Sequence, residues 1–136
     1  MMDRRNHKDL IVWQKSLDLA IKVHSMTACF PKCELFGLTA QIRRTAVSIP
    51  SNISEGSARG STREFLHFMH IARGSYAELE TQLILASRFG YVQHLPLIEP
   101  LLLEVGKLIN AVIAGLRRRQ STLRSTDPSP LSSPVP

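Results

Sequence analysis

From Gly37 to Gly60 the chain alternates apolar and polar residues with the period of a helix. Leu38, Ile42, Ala46, Ile49 and Ile53 stand at steps of four, four, three and four, which is one face of an α-helix. Pro50 interrupts that face. A proline inside a helix removes the bond to the carbonyl four residues back, here that of Ala46, and costs about 3 kcal/mol unless neighbours compensate. Ser48, Ser51, Asn52 and Ser54 cluster around it. They can satisfy the freed backbone groups at a kink centred on Pro50 and Asn52, or form a polar notch that meets a partner. Gly56 is expected to close the helix in the left-handed conformation, leaving Ser57 to Gly60 as a short loop.

Three other segments carry the same period. The first helix is expected to take Asp9 as N-cap and run toward Ala28, with Leu10, Trp13, Leu17, Ala20, His24 and Thr27 on its stripe and Pro31 as its stop. Trp13 and Leu17 would anchor the core, and His24 reads as half-buried rather than as a ligand. Ser61 and Glu64 have the spacing of a capping box, so a third helix should begin at Thr62. Phe65, Met69, Ala72, Tyr76, Leu79, Leu83 and Ala86 then alternate steps of four and three, as in bundle packing, until Gly90. The fourth helix should begin between Pro96 and Pro100. Its stripe is Ile98, Leu102, Val105, Ile109, Val112 and Leu116, widened by Leu101 and Leu108. Arg117, Arg118 and Arg119 would close it, where cations complement the carbonyl end of the dipole. Four helices of about 20 residues with short connections make an antiparallel up-and-down bundle about 30 Å long.

The third helix has a second apolar line. Ile71, Gly74, Ala77, Thr81, Ile84 and Leu85 lie opposite its core stripe, where an isolated subunit should be charged. A helix apolar on two sides must bury both, so these six positions are expected at a subunit interface rather than on a merely greasy surface.

Composition adds the class and the compartment. At 136 residues the chain suits one domain, and 43% hydrophobic with only 6% aromatic residues makes an aliphatic core, which favours helices over a β-sandwich. Residues 1–8 read as a polar lead and 9–119 as the bundle. Residues 120–136 hold five Ser, two Thr and four Pro, and are expected to be disordered. Cys29 and Cys33 are four apart with no second pair, so they are expected as free thiols in a reducing compartment rather than as zinc ligands. The charged start MMDRRNHKD is unlike a signal peptide, and no apolar run is long enough to span a membrane. The expected location is cytoplasmic.

The segment GLTAQIRRTAVSIPSNISEG, preceded by LIVWQKSLDLA and FPKCELFG and followed by STREFLHFMHIARGSYAELETQL, closely resembles the four-helix bundle proteins encoded in intervening sequences of bacterial 23S rRNA genes. The resemblance spans about Asp9 to Arg119. It implies an all-α, antiparallel four-helix bundle that assembles into a ring-like homo-oligomer of five, and no settled activity. Related bundle proteins that accompany reverse transcriptases in retroelements are basic, nucleic-acid-binding rings, so the resemblance also implies RNA or DNA as a partner.

No set of catalytic residues stands out: there is no Gly-rich phosphate loop, no GxSxG and no HExxH. His67 and His70 stand three apart but lack the Glu-x-x-His partners of a di-iron bundle, and Glu78 and Glu80 point to different helix faces. The expectation is a non-enzymatic protein with no cofactor and no metal. The arginines carry what functional content there is. Lys and Arg total 17 against 11 Asp and Glu, and the sequence pI is about 9.9. Residues 41–75 carry five Arg against two Glu, or +3, and residues 76–104 carry one Arg against four Glu, or −3. Arg43, Arg44, Arg59, Arg63 and the cluster Arg117, Arg118 and Arg119 are therefore the candidate nucleic-acid-binding residues, read as phosphate contacts. The alternative is a protein–protein interaction scaffold in which the same arginines serve subunit or partner contacts.

Overall fold

The computed structural model describes residues 6–93 and 95–126. Among them the chain is all-α. Four helices, α1 (Ile11–Thr27), α2 (Leu38–Ala58), α3 (Thr62–Arg88) and α4 (Glu99–Thr126), are joined by short connections with single 3-10 turns at His7–Asp9, Lys32–Glu34 and Leu95–Leu97. Each helix packs against two others: α1 and α3 both meet α2 and α4.

α1 starts later than Asp9. Asp9 lies in the preceding 3-10 turn, which Asn6 caps by accepting the Lys8 amide, and Leu10 precedes α1 with extended backbone and no side-chain cap. The stripe of α1 is also turned by one position. Val12, Ser16, Leu19, Val23 and Thr27 are buried, Trp13 and Leu17 are half-buried, and His24 is exposed. Adjacent residues satisfy the same three-and-four spacing, so periodicity alone does not choose between the two lines. The polar members of the buried line are matched inside the helix, Ser16 Oγ donating to Trp13 O (2.8 Å) and Thr27 Oγ1 to Val23 O (2.9 Å). Trp13 lies at the rim, edge-on to the His7 ring at 5.1 Å.

In α2 the core line is as the spacing predicts: Ile42, Ala46, Ile49 and Ile53 are buried, and Leu38 is half-buried. Pro50 is buried within the helix. The polar residues around it bond their own helix, Ser51 Oγ to Val47 O (2.9 Å) and Asn52 Nδ2 to Ser48 O (2.8 Å). Gly56 does not close α2. It is buried inside the helix, against Phe68 of α3, and the left-handed glycine is Gly60 at φ 84°. Gly56 is present for closeness of approach: a Cβ there would stand 2.6 Å from Phe68 Cβ.

α3 begins at Thr62, where Ser61 Oγ accepts the Glu64 amide at 3.1 Å. Met69, Ala72, Tyr76, Leu79, Leu83 and Ala86 are buried along it, with Phe65 half-buried. Gly90, at φ 82°, ends it in a Schellman turn, with Tyr91 N–H donating to Ala86 O at 2.9 Å. α4 buries Leu102, Val105, Ile109, Ile113 and Leu116, with Ile98 buried just before its start. Ile113 replaces the predicted Val112, which is half-buried, because adjacent β-branched residues both fit the stripe. α4 also continues past the three arginines to Thr126, into the segment expected to be disordered. Residues 127–136 and most of the polar lead, residues 1–5, lie outside the described residues.

Tyr76 and Glu34 each tie separate segments of the chain together. Tyr76 Oη donates to Leu102 O at 2.8 Å, and Gly106 makes room for that ring, since a Cβ at Gly106 would meet Tyr76 Oη at 2.6 Å. Glu34 accepts the Leu38 amide at 3.4 Å at the start of α2 and the Tyr91 hydroxyl at 2.9 Å, tying two connections together.

Candidate nucleic-acid interface

The predicted arginines do not form one patch. Arg43 is a structural tie: its Nε donates to Thr27 Oγ1 (2.8 Å) and its Nη2 to His24 O (3.2 Å), pinning α2 to the last turn of α1. Arg44 is exposed one position on. Arg59 lies 16 residues after Arg43, about 24 Å along the axis of α2 at 1.5 Å per residue. There it pairs with Glu55 at 2.9 Å and lies over the Phe68 ring at 5.1 Å. Arg117, Arg118 and Arg119 fan out, since consecutive helix positions are about 100° apart. Of the three, Arg117 reaches α3.

What the structure brings together is a basic face on α3 and α4. His70 of α3 is held between two guanidinium groups, Arg73 Nη2 at 3.1 Å from Nδ1 and Arg117 Nη2 at 3.4 Å from Nε2. Arg73 Nη1 also lies 3.5 Å from Asn110 Oδ1 on α4. His67 and Arg63 precede His70 on α3 at steps of three and four, and the same two residues line a shallow polar pocket with Arg59, Ser61, Glu64 and Phe68. Burial first, then the charges of Arg73, Arg117 and His67, hold the His70 imidazole below the usual histidine range. Among the described residues no carboxylate pairs with Arg63, Arg73 or Arg117; the ion pairs present are Lys15 with Glu104 and Arg59 with Glu55.

Sequence reasoning counted Arg73 only toward segment charge and set His70 aside. The spacing of Arg63, His67 and His70 was a legible signal. The partnership with Arg117 was not, because it joins residues 47 apart in the chain. The six positions of the second apolar line on α3 are all exposed, Ile71, Ile84 and Leu85 being its large members. A second apolar surface lies between α1 and the α3–α4 connection, a groove of about 550 Å³ lined by Ile21, Met26, Val92, Leu97 and Ile98 among others. The candidate kink residues Pro50 and Asn52 are occupied within α2, as above.

The fold and this face together define the class: an all-α four-helix protein with aliphatic packing, a cationic α3–α4 face and no helix long and apolar enough to cross a membrane among the described residues. The sequence profile of the family described as 23S rRNA-intervening sequence protein matches residues 8–111, and the chain belongs to that family. No curated protein matches the chain.

Proposed function

We propose that the protein is a non-enzymatic, cytoplasmic homo-oligomeric bundle that binds the backbone of RNA or DNA through its α3–α4 face. The observation that carries this reading is the convergence of Arg73, Arg117 and His70, with no carboxylate paired to either arginine among the described residues. Paired guanidinium groups suit the oxygens of phosphate. The family's description, which names it for an intervening sequence of 23S rRNA, is consistent with an RNA context.

An antiparallel up-and-down course is supported by the pairs between α3 and α4: partners of His70, Arg73 and Tyr76 are Arg117, Asn110 and Leu102, descending as α3 ascends. A ring-like assembly, a homopentamer in this reading, is supported by two unlike apolar surfaces, the outer line of α3 and the groove between α1 and the α3–α4 connection. Unlike patches that meet head to tail generate rings when the rotation closes. In the alternative, an interaction scaffold, the exposed arginines serve subunit or partner contacts; Arg43 and Arg59 are engaged within the chain and count toward neither reading.

Fluorescence anisotropy of a structured RNA and a DNA duplex, titrated at several salt concentrations, separates the two readings. Backbone binding gives an affinity whose logarithm falls linearly with log salt, with a slope of about −0.9 per phosphate neutralised on duplex DNA. Absence of binding at low salt would leave the scaffold in front.

A further inference from the structure

We infer that the α3–α4 face carries a discrete site for a tetrahedral phosphate group, gripped by Arg73 and Arg117, with His70 supplying a third positive charge as imidazolium when the site is filled. The inference rests on the reading of this face as phosphate-facing and narrows it to a pH-linked site. The ligand chemistry is a phosphate oxyanion, whether from a nucleic-acid backbone or free in solution.

The first reason is a mismatch of donors and acceptors. Guanidinium groups only donate, and a neutral imidazole has one nitrogen that accepts and one that carries the proton. Two guanidinium nitrogens nevertheless approach the two ring nitrogens of His70, at 3.1 and 3.4 Å. One of these contacts therefore sets donor against donor. Among the described residues, the further acceptor bonded to these guanidinium groups is the Asn110 side-chain carbonyl, at 3.5 Å from Arg73 Nη1. An oxyanion supplies the acceptors the cluster lacks, and once it is present His70 serves better as a donor than as an acceptor.

The second reason is charge and access. Among the described residues, the charged and titratable groups facing His70 are Arg73 and His67 from its own helix and Arg117 from α4, all basic. Arg73 and Arg117 are exposed and His70 is half-buried between them, so the cluster faces solvent.

The third reason is linkage. In the ligand-free protein, burial and the two arginines favour the neutral ring. An anion between the arginines reverses that field and raises the His70 pKa, so anion and proton bind together and the affinity rises as pH falls through the histidine range. A rise of roughly one unit corresponds to about tenfold tighter binding below both midpoints than above them.

The test follows the His70 ring by NMR in the full chain between pH 5 and 8, its signal assigned as the one missing from His70→Gln. Sodium sulfate is the probe, a tetrahedral dianion that does not itself titrate over this range, against sodium chloride at equal ionic strength. The expected result is a His70 midpoint raised by roughly one unit in sulfate, with the rise lost in Arg73→Gln and Arg117→Gln while far-UV circular dichroism is unchanged. An equal midpoint in the two salts overturns the site. A parallel arm measures anisotropy of an RNA duplex at pH 6 and pH 8, with His70→Gln expected to abolish the difference. A duplex that binds without moving His70 overturns this site and leaves the nucleic-acid reading standing. Sulfate that moves His70 while no duplex binds supports a site for free phosphate and overturns the nucleic-acid reading.

Discussion

Gly56→Ala sets two opposed effects against each other at one atom. Gly56 lies inside α2 with helical backbone, so on propensity alone alanine should stabilise the protein by about 0.5–1 kcal/mol. The added carbon would, however, stand 2.6 Å from Phe68 Cβ, 3.2 Å from Phe65 Cδ1 and 3.3 Å from Phe68 Cγ. Ordinary carbon contacts need about 3.5–4 Å, so the pair is about 1 Å too close. Phe68 Cβ is fixed to the α3 backbone, and no rotamer change relieves it. The helices must separate where they approach most closely, and overpacking of this kind costs about 1–3 kcal/mol. The net expectation is a loss of about 1–2 kcal/mol, read as a lower urea midpoint by far-UV circular dichroism with unchanged slope. Gly115→Ala is the control: it is a glycine inside α4 whose Cβ would meet only the end of the Arg118 side chain, at 3.8 Å, so the same change there gains the propensity term alone. A Gly56→Ala protein that unfolds at the wild-type urea concentration or above it would show that α2 and α3 do not meet through this glycine.

Arg43→Ala should lower stability by about 1–2 kcal/mol in urea, because two charge-assisted bonds between α1 and α2 are lost, while leaving the affinity for RNA and its salt slope unchanged. Tyr76 governs stability at high pH: burial first, then the Glu80 carboxylate, push its hydroxyl up to about 12 against an unfolded value near 10. The unfolded state therefore releases the proton first, so stability is full below pH 10 and falls as pH rises toward 12. Tyr76→Phe should flatten that fall in thermal melts, at the cost of about 1 kcal/mol at neutral pH for the lost bond to Leu102 O. Gly74→Glu on the outer line of α3 should give a smaller, still helical species in light scattering; an unchanged mass would exclude that line as the subunit interface.

The four helices were legible because their apolar spacing repeats over many turns, and α2 and α3 had their buried lines assigned correctly at Ile42 to Ile53 and Met69 to Ala86. α1 was misread by one position because Val12 beside Trp13 and Val23 beside His24 offer two parallel lines. Size favoured the wrong one: the large Trp13 looks like an anchor, but the interior takes the smaller residues and two hydroxyls that can bond their own helix. Gly56 was misassigned for a related reason. Near the end of a periodic run, a glycine needed for close packing looks the same as one needed for a left-handed turn, and only the partner Phe68 distinguishes them. The α3–α4 site was the least legible. Its three side chains come from two helices, and what singles them out is a contact across the bundle.

An arginine's role here depends on what faces it. Arg43 meets a hydroxyl and a carbonyl of α1 and becomes part of the fold. Arg59 meets Glu55 and the Phe68 ring, so its charge is already balanced. Arg73 and Arg117 meet a histidine that cannot accept from both of them. The chain's net charge of +6 does not identify a binding surface, since residues as unlike as Arg43 and Arg117 contribute equally to it. The distinguishing quantity is the local count of donors left without an acceptor, and on that measure the His70 cluster differs in kind from both Arg43 and Arg59. Substitutions at Arg43 should therefore change stability, and substitutions at Arg73 or Arg117 should change what the protein binds.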